Sequence, residues 1–162
     1  MTVQMGAPSG AMRAHEELFA YWAGLRRDGG LPRRADIDPA GIKRLLPQIC
    51  LIDVAAAPRA YRLRLAGTGL YSVFGCEITG KSLADIYNTA ANEYWRAELD
   101  KIVDTARPGV GCHSLDWRGA GHMPILWMRL PLAANRRDVD MILGYDAVVG
   151  ISGEGVGATQ AA

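Results

Sequence analysis

From Val110 to Val149 the sequence reads as three strands joined by two short polar turns. The strands run from Val110 to Trp117, from His122 to Leu132 beyond the turn RGAG, and from Val139 to Val149 beyond NRRD. Connections this short can join only antiparallel neighbours, because a parallel pair needs a crossover of a dozen or more residues. The feature excludes a wholly parallel sheet and points to an α+β fold, with helices gathered on an antiparallel sheet.

The rest of the chain supplies the helices and one more hairpin. Between Ala11 and Asp28, the residues Leu18, Tyr21, Trp22 and Leu25 recur at i, i+3, i+4 and i+7, which predicts an amphipathic helix closed by Gly29-Gly30. Asp38 is a good N-cap with Pro39 at the first helical position, so a short helix is expected from Pro39 to Leu46, ended by Pro47. The strand ICLIDV follows, then YRLRLAG, in which Tyr61, Leu63 and Leu65 alternate with Arg62 and Arg64. That alternation marks a half-buried strand, antiparallel to its neighbour through the turn AAAPRA. Leu70 to Asn88 suits one or two brief helices. From Ala90 to Ala106, the residues Trp95, Leu99, Ile102, Val103 and Ala106 trace one helical face, stopped by Pro108-Gly109.

A chain of 162 residues, 49% hydrophobic, suffices for one domain that buries roughly 70% of its unfolded surface. That domain is expected over residues 11–150, between flexible tails at 1–10 and 151–162. The net charge of +1 comes from 18 basic and 17 acidic residues, interspersed, so no strong field draws nucleic acid or an anionic membrane. Cys50, Cys76 and Cys112 have no C-x-x-C spacing, which argues against a disulfide framework and a zinc knuckle. No stretch approaches the ~20 apolar residues of a membrane span, and the N-terminal stretch has no signal core. A soluble cytoplasmic protein is expected.

One motif points elsewhere. GCEITGKS, Gly75 to Ser82, fits the phosphate-loop pattern G-x-x-x-x-G-K-S/T, and ICLID and MILGYD imitate the strand that ends in a magnesium-binding aspartate. A small nucleotide-binding enzyme built on Gly75 to Ser82 is therefore the alternative. Against it, GTGLYSVF separates Gly75 from the preceding strand, and Glu77 would set a carboxylate against the phosphates.

The ordered blocks LPRRADIDPAGIKRLLPQICLIDV, YRLRLAGTGL, GCEITGKSLADI and LPLAANRRDVDMILG, over roughly residues 17 to 150, resemble a PAS domain. More narrowly, they resemble the short stand-alone bacterial PAS proteins. The resemblance implies a five-stranded antiparallel sheet cupping a small cavity that helices close. It places Gly80 to Leu83 in a turn into a short helix, with Lys81 at the surface. Flavin photosensors of the family carry a reactive cysteine in the helix after this turn, where Leu83 or its neighbours stand here, and Cys76 precedes the turn. Haem-binding members commonly take a histidine from the long helix, and Ala90 to Ala106 contains none. No cofactor is expected. The implied role is a sensory or protein-interaction module in bacterial signalling, without catalysis, acting as a homodimer with an unidentified signalling partner.

Cavity walls are expected from Leu65, Leu70, Phe74, Leu83, Ile86, Trp95, Leu99, His113, Leu115, Met128 and Tyr145, with His113 and Tyr145 as polar handles. Such walls either enclose a small, mostly apolar ligand or fill the core themselves. His113 and His122 flank one turn and Cys112 adjoins His113, but strand neighbours point to opposite faces, so no metal site is expected. No G-x-S-x-G or H-E-x-x-H stretch occurs, and Asp85, Glu93 and Asp116 read as capping, surface and turn residues rather than catalytic ones. A dimer interface is expected from Leu18, Tyr21, Trp22 and Leu25 of the first helix, with Trp127 on the outer face of the sheet beside Arg62, Arg64 and Arg129.

Overall fold

The computed structural model describes residues 10–149, apart from the His122 side chain. The tails expected at 1–10 and 151–162 lie outside those residues, except for Gly10, which opens the first helix.

Helix α1 (Gly10–Gly24) buries Ala11, Ala14, His15, Leu18 and Trp22 along one stripe. It ends earlier than the sequence predicts. Leu25 and Arg26 donate to the carbonyls of Trp22 and Ala23, and the left-handed backbone of Asp28 and Gly29 then turns the chain. The segment Pro39–Gln48 is 3-10 helix in two pieces, broken at Ile42, and Pro47 lies within it rather than beyond its end. Asp38 caps it as expected, its carboxylate accepting from Ala40 N at 2.9 Å.

Strands β1 (Ile49–Ala56) and β2 (Arg59–Ala66) form the first hairpin. Three helices follow: α2 (Leu70–Phe74), α3 (Leu83–Ile86) and α4 (Thr89–Thr105). Asn88 caps α4 by accepting from Ala91 N at 2.9 Å. The chain closes with β3 (Gly109–Leu115), β4 (Ala120–Leu132) and β5 (Met141–Val148), the consecutive hairpins predicted from the sequence. The sheet is five-stranded and antiparallel in the order β2-β1-β5-β4-β3, so β1 and β5 weld the two hairpin sets together.

Both faces of this sheet are covered. Helices α2, α3 and α4 close the inner face over Cys50, Ile52, Tyr61, Leu63, Ile125, Trp127 and Ile142. Helix α1 and the 3-10 segment close the outer face over Ile49, Leu51, Met128, Leu130 and Leu143. Trp22 is anchored there, its Nε1 donating to the Pro131 carbonyl at 2.9 Å. A sheet buried on both sides explains why β5 is nearly all apolar.

Several expected side-chain directions are corrected by the register. Met128 pairs with Tyr145, which pairs with Ile49, and all three belong to the outer core rather than the cavity side. Trp127 and Arg129 point the other way, into the inner side, so Trp127 shares no surface with Leu18 and Trp22. Leu65 is 45% exposed because the β1–β2 pairing shifts between Leu51 and Ile52. Leu65 faces Leu51 while Leu63 faces Ile52, which turns Leu65 out of phase with Tyr61 and Leu63.

The nucleotide-binding alternative finds no support in this geometry. Gly75 follows helix α2 in left-handed conformation, not a strand. Ser82 is spent on a capping box, its Oγ accepting from Asp85 N while the Asp85 carboxylate accepts from Ser82 N at 2.9 Å. The Glu77 carboxylate accepts from Thr79 N at 2.8 Å inside the supposed phosphate cradle. Helix α3 has 4 residues, too short to present an anion site.

Candidate functional site

The inner face carries a charge pair that its apolar surroundings make conspicuous. On β4 and β5, Trp127 lies opposite Asp146 and Arg129 opposite Gly144. Arg129 and Asp146 are 2% and 0% exposed. Arg129 Nη2 donates to both carboxylate oxygens, at 2.9 and 3.1 Å, and Nη1 donates to the carbonyls of Met128 and Tyr145, at 2.9 and 3.4 Å. Gly144 makes the room, since a Cβ there would stand 2.5 Å from Cys50 Sγ and 3.0 Å from Arg129 Nη1.

Aromatic rings enclose the pair. The guanidinium carbon lies 4.7 Å from the Trp95 ring centroid and 5.8 Å from that of Trp127. Trp95 meets Trp127 edge-on at 5.2 Å and stacks on Tyr87 at 5.9 Å, and Tyr87 meets Trp117 edge-on at 5.0 Å. Small residues let these rings in. At Gly111 a Cβ would stand 2.6 Å from the Trp127 indole.

Burial penalises both charges, and the attraction of each partner opposes that penalty. For Arg129 burial is the largest influence and lowers the pKa, but the adjacent Asp146 carboxylate, together with Cys50 and Tyr87, outweighs it and holds the guanidinium above its ordinary value. Burial pushes the Asp146 carboxyl above its usual range against the pull of Arg129. The Cys50 thiol is pushed up to about 12 by burial, which makes it a packing group rather than a nucleophile. Burial also drives the Tyr87 hydroxyl well above its ordinary value.

The accounting of hydrogen bonds leaves a remainder. Arg129 Nε, Trp95 Nε1 and Trp117 Nε1 are buried N–H donors with no acceptor among the described residues. Each such donor costs about 1–3 kcal/mol while unsatisfied. Trp117 also lines a small cavity of about 170 Å³, between the start of α4 and β3, together with Asn88, His113, Ser114 and Asp116. His113 stacks flat on Tyr94 at 4.0 Å, and burial lowers its pKa against the pull of Asp116.

Of the expected walls, Leu70, Phe74, Leu83, Ile86, Trp95, Leu99 and Leu115 do meet in the inner core, and His113 lies half-buried beside it. Met128 and Tyr145 do not. The polar groups at the centre are Arg129, which the sequence pattern places on the outer face, and Asp146, which ends the phosphate-loop imitation MILGYD. The expected interface residues of the first helix lie on the other side, while Trp127 belongs to the inner cluster. Leu18 and Trp22 are buried against the chain's own sheet, Leu25 is half-buried, and the Tyr21 hydroxyl donates to the Asp38 carbonyl and accepts from Asp38 N. No helix among the described residues is long and apolar enough to cross a membrane.

No curated protein matches the chain. Solved structures do. The LOV protein of Rhodobacter sphaeroides is 16% identical, with 88% of this chain and 70% of that one covered and a TM-score of 0.52. A variant of RsLOV is 17% identical, with 68% and 66% covered and a TM-score of 0.51. The PAS domain of a Colwellia psychrerythraea protein is 14% identical, with 66% and 92% covered and a TM-score of 0.47. The chain thus spans about two thirds of the length of the LOV structures it resembles, and at these identities they speak for the fold alone. The family is settled by the sequence profile of the PAS domain, which matches residues 11–146, from the first turn of α1 to the buried Asp146; the chain belongs to the PAS domain family.

Proposed function

We propose that this PAS domain is a non-catalytic sensory module whose inner core receives a small, mostly apolar ligand carrying a hydrogen-bond acceptor. The observation that carries the reading is the set of buried donors without acceptors, Arg129 Nε, Trp95 Nε1 and Trp117 Nε1, within one aromatic cluster. A buried donor is retained at a cost unless something accepts from it. The small cavity lined by His113 and Trp117 adjoins the Trp117 side of this cluster. Catalysis is no part of the reading. The Cys50 thiol is held protonated, and Asp146 is neutralised by Arg129 rather than poised for proton transfer.

Native mass spectrometry of freshly purified protein tests it. The expected result is a complex heavier than the chain by a small-molecule mass, which a denaturing spectrum loses. A spectrum of bare chain alone, with the mass unchanged after incubation in cell extract, would overturn the ligand reading. The proposal extends to signalling in the bacterial cytoplasm as a homodimer that contacts an unidentified protein. Sedimentation at several concentrations checks the dimer, and a monomer throughout would remove it.

A further inference from the structure

On the outer side of the sheet, a groove of about 570 Å³ lies between the 3-10 segment Pro39–Gln48 and the strands β1 and β2. Its floor is the buried Ile42, Ile49 and Leu51, and Pro39, Pro47 and Leu65 carry its apolar surface out to solvent. Leu65 stands here because of the pairing irregularity between Leu51 and Ile52. In unbroken register it would share the inner face with Tyr61 and Leu63, whereas the shift sets it opposite Leu51 of the outer core. Past the end of β2, Gly67 N donates to the Ile49 carbonyl at 2.7 Å and Gly69 N to the Pro47 carbonyl at 2.8 Å. Only glycine allows that approach, since a Cβ at Gly67 would clash with the Leu46 and Pro47 carbonyls. These bonds fix the chain after β2 against the 3-10 segment, so the groove is preformed.

The polar side chains of the lining are Arg34, Lys43 and Thr68, and none of the described residues that line the groove is acidic. The two cations differ from the basic residues beside them. Arg33 pairs with Asp36 at 2.8 Å, Arg44 with Glu17 at 2.6 Å, and on β2 Arg64 pairs with Asp53 at 3.4 Å. Arg34 and Lys43 have no side-chain partner among the described residues, and both are exposed. The groove therefore joins a dry floor to two positive charges that the fold leaves uncompensated.

We propose that this groove binds a free amphiphile with one anionic head group, the chemistry of a medium-chain carboxylate, its head at Arg34 and Lys43 and its chain over Leu65 and the apolar floor. The volume lies in the range of small-molecule sites, which are mostly apolar with a few placed polar groups. Charge selects the class. Two unpaired cations beside apolar walls draw an anion, repel an ammonium and give a neutral head no comparable gain. The planar fork of Arg34 also suits a carboxylate, which it can hold through two parallel bonds. The sheet separates this groove from the cluster around Arg129 and Asp146, so the two ligand sites stand or fall independently.

Full-length protein would be titrated with decanoate, 1-decanol and decyltrimethylammonium below their micelle concentrations, following the methyl resonances of Leu65 and the indole resonances of Trp95 and Trp117. Decanoate is expected to saturate, to move the Leu65 methyls and not the indoles, and to bind about tenfold more tightly than decanol. That ratio is about 1.4 kcal/mol, within reach of two exposed cations, and it should shrink at high salt. The ammonium should bind more weakly than the alcohol. In Arg34→Gln/Lys43→Gln, changed at two exposed positions, acid and alcohol should bind alike, and Leu65→Asp should lose both. Equal affinity of the wild type for acid and alcohol, a preference that survives in the double variant, movement of the indoles in place of Leu65, or decanoate binding undiminished by Leu65→Asp would each overturn the proposal. So would two rival occupants: phosphatidylglycerol vesicles that retain the protein while decanoate does not bind, or a dimer that Leu65→Asp dissociates while decanoate has no effect.

Discussion

Removing one partner of the Arg129–Asp146 pair should be far more damaging than removing both. In Arg129→Met the Asp146 carboxylate, 0% exposed, is left without its bidentate partner among tryptophans. Breaking a buried pair this way costs about 3–5 kcal/mol. The contacts of the guanidinium with Trp95 and Trp127 add about 1 kcal/mol between them, part of which the methionine regains by packing. Against a total stability of roughly 5–15 kcal/mol, the variant should sit near the edge of folding, with its midpoint lowered by about 8–16 °C. Asp146→Leu should cost a similar amount for the mirrored reason. The double variant Arg129→Met/Asp146→Leu removes both desolvation penalties and should lie within about 2 kcal/mol of the wild type. Guanidinium unfolding of all four proteins, with slopes compared to check two-state behaviour, measures the cycle. If each single change costs under about 1 kcal/mol, or the double change costs the sum of the singles, the pair is not the isolated buried unit described above.

Three further expectations follow from other parts of the fold. Lys81→Ala should shift stability by no more than about 0.5 kcal/mol, and calorimetric titration with ATP or GTP and magnesium should give no saturable heat, because Ser82 and Glu77 are engaged in local caps. Gly111→Ala places a methyl group 2.6 Å from the Trp127 ring and should cost about 1–3 kcal/mol, with a changed near-ultraviolet signal from that indole. Stability should fall as the pH drops from 6.5 towards 4, where the unfolded chain protonates His15 and the folded chain does not. The wild type should lose up to about 3 kcal/mol more than His15→Gln across that window, from a shift of roughly two and a half units at 1.36 kcal/mol each, and parallel pH profiles of the two proteins would contradict it.

The elements of the fold were legible because they carry local signals. The turns RGAG and NRRD set the hairpins, Asp38 and Pro39 mark the start of the 3-10 segment, and the stripe in Ala90–Ala106 marks α4 to within a residue at each end. The face to which each strand residue points was less legible, for a physical reason. A strand with one wet face advertises its phase, as Arg62 and Arg64 do beside Tyr61 and Leu63. Strands β4 and β5 are covered on both sides, so Trp127, Met128, Arg129 and Leu130 are all buried and no alternation survives to set the phase. Leu65 shows a second limit, since the irregularity between Leu51 and Ile52 that turns it outward leaves no mark in β2 itself.

The site follows the same division. The apolar walls from Leu70 to Leu115 could be found by periodicity, because helices α2 to α4 each have one dry face. The centre could not be found that way, yet it left a signal of another kind. In MILGYDAV, Asp146 is the one charge in a run with no wet face, and burying a lone carboxylate is prohibitive unless a cation comes with it. The phosphate-loop pattern that MILGYD imitates would require this carboxylate to face solvent and a metal. A central strand forbids that exposure and demands a buried partner instead. Arg129, on the neighbouring strand and within an apolar run of its own, is the residue that the register brings to it.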